Sequence, residues 1–171
     1  MVVTSETRLA KHLELENIVD CGLPLALEIV GERWSFMILR AALNGVRHFE
    51  DFLAVLGIAR NILSVRLANL VENGIMVREP CTHDRRKVEY CLTDKGRDLL
   101  PAMLALRQWG ERYELGVPSN PVLVDARDRQ PIGRFEVRAH DDRVLKLADL
   151  MWLDRSEMGD ETVECCSSGA P

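Results

Sequence analysis

No apolar run in this 171-residue sequence is long enough to cross a bilayer, and residues 1–20 lack the apolar stretch and cleavage site of a secretory signal. A cytoplasmic protein without a membrane partner is expected. Cysteine is sparse and unpatterned. Cys21, Cys81, Cys91, Cys165 and Cys166 make neither an even framework nor a Cys-x-x-Cys pair, which speaks against a disulfide scaffold and against structural zinc. Catalytic signatures are missing too. There is no Gly-rich phosphate loop, no GxSxG elbow and no HExxH pair, and His12, His48, His83 and His140 are scattered. An enzyme is not expected, and no metal or cofactor is implied. Internal repeats and long low-complexity tracts are likewise absent.

What is present suffices for a folded domain. Hydrophobic residues make up 47% of the chain and charged residues 29%, a balance that buries a core rather than staying disordered. The net charge of −5 would ordinarily discourage a polyanionic partner, but it is unevenly spread. Residues 21–113 carry thirteen Lys and Arg against eleven Asp and Glu, whereas residues 114–171 carry seven against twelve. The middle of the chain is mildly basic and its end acidic, and phosphate binding depends on local patches more than on the total.

Periodicity then sets out the elements. An amphipathic helix is predicted over 5–19, from Leu9, Leu13 and Ile18 among charges. A short helix from Pro24 to Val30 follows, with proline in its first turn. Trp34, Met37, Ile38 and Ala41 form a helical stripe in 33–43, stopped at Gly45. A two-turn helix, His48 to Leu56, places Phe49, Phe52, Leu53 and Leu56 on one face, and Gly57 ends it. The helix of 59–73 points Leu63, Leu67, Leu70 and Val71 inward and closes at Gly74. Two strands follow, marked by Ile75 and Val77 and by Val88, Tyr90 and Leu92, around a polar, basic loop at 80–86. Thr93 caps a long helix predicted from about Asp94 to Leu115. Residues 116–121 read as a linker. Short strands are expected at 122–124 and 135–137, residues 143–153 fit either a helix or a third strand, and the residues from about 157 read as disordered.

Helix, short helix, tight turn, helix, strand, basic loop, strand and long helix is the order of a winged helix-turn-helix. The fold class is therefore mainly α with a small β-hairpin wing, plus a small β-rich extension. The domains expected are an N-terminal helix or arm (1–20), a winged-helix domain (21–115), an extension (116–156) and a tail (157–171). A helix fits the major groove of B-DNA while the preceding helix braces it across the backbone, and a basic wing lies along phosphates or enters the minor groove.

The sequence also resembles the HxlR-type transcriptional regulators. The resemblance rests on Cys21-Gly-Leu-Pro24, Ala26-Leu27, Val30-Gly31-Glu32-Arg33-Trp34, Ile38-Leu39-Arg40 and Gly45-Val-Arg47-His48-Phe49. It continues through Leu63-Ser64-Val65-Arg66-Leu67, Asn73-Gly74, the run Val88-Glu89-Tyr90-Cys91-Leu92-Thr93-Asp94-Lys95-Gly96, and Trp109-Gly110. It covers roughly residues 21–113. Gly22 stands where that family usually has proline and Glu32 where it often has glycine. The resemblance implies a homodimeric repressor or activator on double-stranded DNA, dimerised through the N-terminal helix and the long helix after the wing. It also implies a cysteine at the position of Cys21 that in some members senses oxidants or electrophiles.

Candidate DNA contacts follow from the turn of 59–73 at 100° per residue. Asn61, Val65, Ala68 and Glu72 face outward, flanked by Arg60, Ser64 and Asn69. Asn61 suits adenine, Val65 or Ala68 a thymine methyl, and Arg60 guanine or phosphate. Ser64 and Arg66 suit phosphate, as do Arg47 and His48 at the start of the bracing helix. His83, Arg85 and Arg86 sit at the wing tip. The bland alternatives stay open: a solvated polar helix face, a hairpin edge blunted by basic residues, and a Cys21 that is merely a small half-buried side chain. Trp34 and Trp109 are candidates to line a pocket for an aromatic effector, with core packing as the alternative. A winged helix that binds protein rather than DNA is the competing function.

Overall fold

The computed structural model describes residues 21–81, 87–153 and 157. The predicted helix of 5–19, the wing tip and the tail beyond residue 157 lie outside them. Two compact units divide the chain: Gly22–Phe135, and Cys21 with the residues from Glu136 onward.

The first unit opens with α1 (Gly22–Val30) and α2 (Arg33–Leu43), followed by α3 (Phe49–Leu56) and α4 (Arg60–Glu72). Ser35, Ile38, Leu39 and Ala41 are the buried face of α2, so the helix is turned slightly from the predicted stripe, leaving Trp34 and Met37 half-buried. After α2 the chain reverses at Gly45, whose φ of +89° is open to glycine and strained for other residues. Phe52 of α3 and Leu63, Leu67 and Leu70 of α4 complete the floor of the core, all at most 1% exposed. Each such side chain contributes about 1.5–3 kcal/mol through removal from water.

Two antiparallel strands follow, β1 (Met76–Pro80) and β2 (Val88–Leu92), with Met76 opposite Leu92 and Pro80 opposite Val88. Ile75, expected within the first strand, precedes it and is buried beside Met76. The Cys81 N–H donates to the Lys87 carbonyl at 2.9 Å and carries the hairpin one step further.

The long helix predicted over 94–115 is instead broken. It consists of α5 (Asp94–Arg97), a turn at Asp98-Leu99, α6 (Leu100–Gly110) and a widened final turn, Glu111–Leu115, that ends at Gly116. Pro101 in the first turn of α6 has no N–H to offer the preceding turn, so the helix restarts there. Thr93 does cap α5, its Oγ1 accepting from the Gly96 N–H at 3.1 Å. Gly96 itself is packed against the chain before β1. A Cβ there would lie 2.2 Å from the Ile75 carbonyl oxygen, which explains glycine at that position in the capping run.

The extension is not β-rich among the described residues. Two isolated bridges, Val124 with Pro131 and Arg138 with Val144, stand where strands were expected, and 143–153 holds only the 3₁₀ turn Leu147–Asp149. Pro121 and Pro131 remove ladder donors, and the Asp125, Asp128 and Asp141 carboxylates accept from backbone N–H groups two residues on, favouring turns over longer ladders. Among the described residues no helix is long and apolar enough to cross a membrane.

Candidate nucleic-acid interface

The turn Gly57-Ile58-Ala59 sets the geometry of the site. Gly57 takes a left-handed conformation (φ +60°, ψ 26°) and its N–H donates to the Leu53 carbonyl at 3.0 Å, closing α3. Ile58 drops into the core, and the chain re-enters a helix at Arg60. Because Leu63, Leu67 and Leu70 are buried, the opposite face of α4 is fixed outward: Arg60, Asn61, Ser64, Val65 and Ala68 are all exposed, Val65 by 61%. An aliphatic side chain that open, between polar neighbours, is what contact with a thymine methyl requires. Asn69 is half-buried.

Arg47 and His48 are placed at the foot of the wing as well as at the start of α3. The Arg47 carbonyl accepts from the Tyr90 N–H at 2.8 Å, and His48 Nδ1 lies 3.1 Å from the Val88 carbonyl. Glu89 joins both, 3.5 Å from the Arg47 guanidinium and 3.9 Å from His48 Nε2. A hydrogen bond from the Cys81 thiol, with Arg47 and His48 beside it, holds the Glu89 carboxyl below the usual carboxylate range. His83, Arg85 and Arg86 lie outside the described residues.

Carboxylates are the residues that the sequence reading left out. Arg60 donates to both oxygens of Glu50, at 2.8 and 2.9 Å, and stacks 5.3 Å from the centre of the Phe49 ring. That hydrogen bonding pulls Glu50 down from its ordinary pKa and raises Arg60. Arg66, assigned above to phosphate, is half-buried, pairs with Glu32 at 3.4 Å and leaves its Nε buried without a partner. An open groove of about 610 Å³ runs between the start of α3 and the hairpin, lined by His48, Glu50, Asp51, Arg78, Lys87 and Tyr90. Arg78 was missed along with these carboxylates. The signal for them was weak: Glu50 and Arg60 are ten residues apart across a turn, and Glu89 meets Arg47 only because α3 begins against the hairpin.

Cys21, Cys81 and Cys91 are all half-buried and free. Trp34 packs half-buried against the core with Arg33 over its ring at 5.0 Å. Trp109 is 56% exposed and lies beside Tyr113, ring centres 5.6 Å apart. Neither tryptophan lines the groove or the second cavity, of about 200 Å³, which lies between α6 and residues 118–132.

A helix pair around a three-residue turn, an exposed second helix and an antiparallel hairpin at its side define a winged helix-turn-helix domain. The HxlR-like helix-turn-helix family matches residues 29–116, and the chain belongs to that family. An HTH-type transcriptional regulator of Mycobacterium tuberculosis is 50% identical over 96 residues, which is 56% of this chain and 60% of that protein. The chain thus matches less than two thirds of that relative's length. A second such regulator, YdeP of Bacillus subtilis, is 33% identical over 58% of this chain and 78% of its own. Among solved structures, PA1607, described as a transcription-factor candidate, aligns with a TM-score of 0.75 at 40% identity, covering 83% of this chain and 99% of the other. The redox regulator HypR in its oxidised form aligns with a TM-score of 0.51 at 31% identity, over 55% of this chain and 98% of its own. The relatives are regulators of transcription rather than enzymes.

Proposed function

We propose that the chain is a sequence-specific DNA-binding transcriptional regulator, a repressor acting as a homodimer on a pseudo-palindromic operator. The observation that carries this is the outward face of α4. It is held by a tight turn against a bracing helix and presents Arg60, Asn61, Ser64, Val65 and Ala68 together. In this reading α4 enters the major groove, residues 80–87 form the wing on phosphates or the minor groove, and Arg47 and His48 meet the backbone where wing and bracing helix join. Two copies related by a two-fold axis would offer their α4 helices to successive major grooves about 34 Å apart. The apolar side chains exposed on α6 and its last turn, Leu106, Trp109 and Tyr113, support dimerisation through that helix. Residues 1–20 would complete the dimer, 21–115 would bind DNA, and 116–156 would form a separate extension.

Control is assigned to a small aromatic or electrophilic effector, or to modification of Cys21, which directly precedes α1. The redox regulator among the structural relatives supports the second route. The test is an anisotropy titration with duplexes from upstream of the gene and its divergent neighbour, reduced and after mild diamide, with Cys21→Ser beside the parent. Tight binding that weakens steeply with salt is expected, lost on oxidation only when Cys21 is present. Binding indifferent to oxidation would leave the effector route. Absence of specific DNA binding, with a protein partner retained when Arg85 and Arg86 are replaced, would favour the interaction module.

A further inference from the structure

We infer that Glu50 is a specificity-determining residue: by holding Arg60 it steers that arginine toward base edges and away from phosphate. The inference rests on α4 being the DNA-reading helix. Three arginines of this surface each have a carboxylate partner: Arg47 with Glu89, Arg66 with Glu32, and Arg60 with Glu50. Only the Arg60 contact is bidentate among these, and the Phe49 ring supports the same guanidinium from one side. Two of the five N–H donors of the guanidinium are thereby used, and the others meet no acceptor among the described residues. Both side chains are well exposed, Glu50 by 69% and Arg60 by 64%, so DNA can reach the pair as it stands.

The two kinds of DNA acceptor then meet different costs. A guanine edge is neutral and can accept from the free donors while Glu50 keeps its own two hydrogen bonds. A phosphate is charged. To take Arg60 it must either displace the Glu50 carboxylate or sit near it. Non-specific complexes consist largely of phosphate contacts, so the pair weakens them selectively. Discrimination of this kind comes from penalising the wrong ligand rather than from improving the right one.

The test uses the full chain. An operator duplex is isolated by in vitro selection from a random library, and a scrambled duplex of equal length and composition serves as the non-specific probe. Glu50→Gln should tighten binding to the scrambled duplex about tenfold and to the selected duplex by less than about threefold. The salt dependence on scrambled DNA should steepen by about one phosphate contact. In an Arg60→Ala background, Glu50→Gln should leave selectivity where it was. Equal tightening on both duplexes, or a selectivity change that persists without Arg60, would overturn the inference and make Glu50 a general repulsive charge. A selective parent with an equally selective Glu50→Gln variant overturns it as well, leaving the regulator reading intact. A parent that enriches no sequence overturns the regulator reading itself.

Discussion

The stretch from Val30 to Met76 and the stretch from Leu100 to Phe135 use apolar residues in opposite ways. Every fully buried apolar side chain among the described residues belongs to the first. In the second none is buried, and Leu106, Trp109, Tyr113, Leu115 and Val117 are each more than half exposed. The first stretch closes its own core from α2, α3, α4 and the start of the hairpin. The second relies on polar ties: Gln108 donates to the Gly133 carbonyl at 2.9 Å and accepts from the Phe135 N–H at 2.8 Å, while Arg107 donates to Glu111 and to the Pro121 carbonyl. Of the last helix, Met103 packs half-buried against that core, while Leu106 and Trp109 stay exposed and are available to something outside the domain.

The sharpest way to break this contrast is inside the core. Phe52→Ala removes a side chain with no exposed surface and should cost about 3–5 kcal/mol, read by urea unfolding. Gly96→Ala comes next. Its Cβ must push the Ile75 carbonyl aside, at about 1–3 kcal/mol, and the local readout is faster amide exchange at Thr93, whose N–H donates to that same carbonyl. Equal stability of either variant with the parent would mean that the core does not hold the domain as described.

In the second stretch the effects should be local. Gln108→Ala is expected to leave the global unfolding midpoint within about 1 kcal/mol while speeding amide exchange at Phe135. Glu111 gives a pH version of the same test. Its carboxyl is held below the usual range by Ser119 and then Arg107. A depressed folded pKa means that the stabilising contribution is complete above the unfolded value of about 4.3 and is lost as pH falls through the lower folded value. Faster exchange at Ser119 on acidification through that window, removed by Glu111→Gln, is the expected result. The smallest effect on folding belongs to Trp109→Ser, within about 0.5 kcal/mol, though it should weaken the proposed dimer in sedimentation.

Much of the fold was legible because its signals are local. Gly45, Gly57 and Gly74 all take positive φ where helices were predicted to stop, and the Leu63, Leu67 and Leu70 stripe is the buried face of α4. Thr93 announced its cap. The break at Asp98-Leu99 was equally local, since Pro101 was in view, yet the helical period on both sides of it outweighed one proline. The extension misled for a different reason: short apolar alternations look like strands, but prolines and Asp-based turns leave too few ladder donors. At the candidate site, the exposed residues of α4 followed from periodicity. The carboxylate partners did not: Glu50 meets Arg60 across a turn, Glu32 reaches Arg66 from the start of α2, and Glu89 of the hairpin meets Arg47, pairings that tertiary packing alone brings close.

The hydrogen bond from the Tyr90 N–H to the Arg47 carbonyl makes the residue pair before α3 behave as a short third edge of the hairpin. A hairpin tied in this way cannot pivot about the bracing helix without first breaking sheet-like pairing. The described strands of the hairpin and the helix pair are therefore coupled at this edge. In the proposed dimer, a signal acting on this coupled unit would change the distance or angle between the two copies rather than the pairing of hairpin and helix within either one.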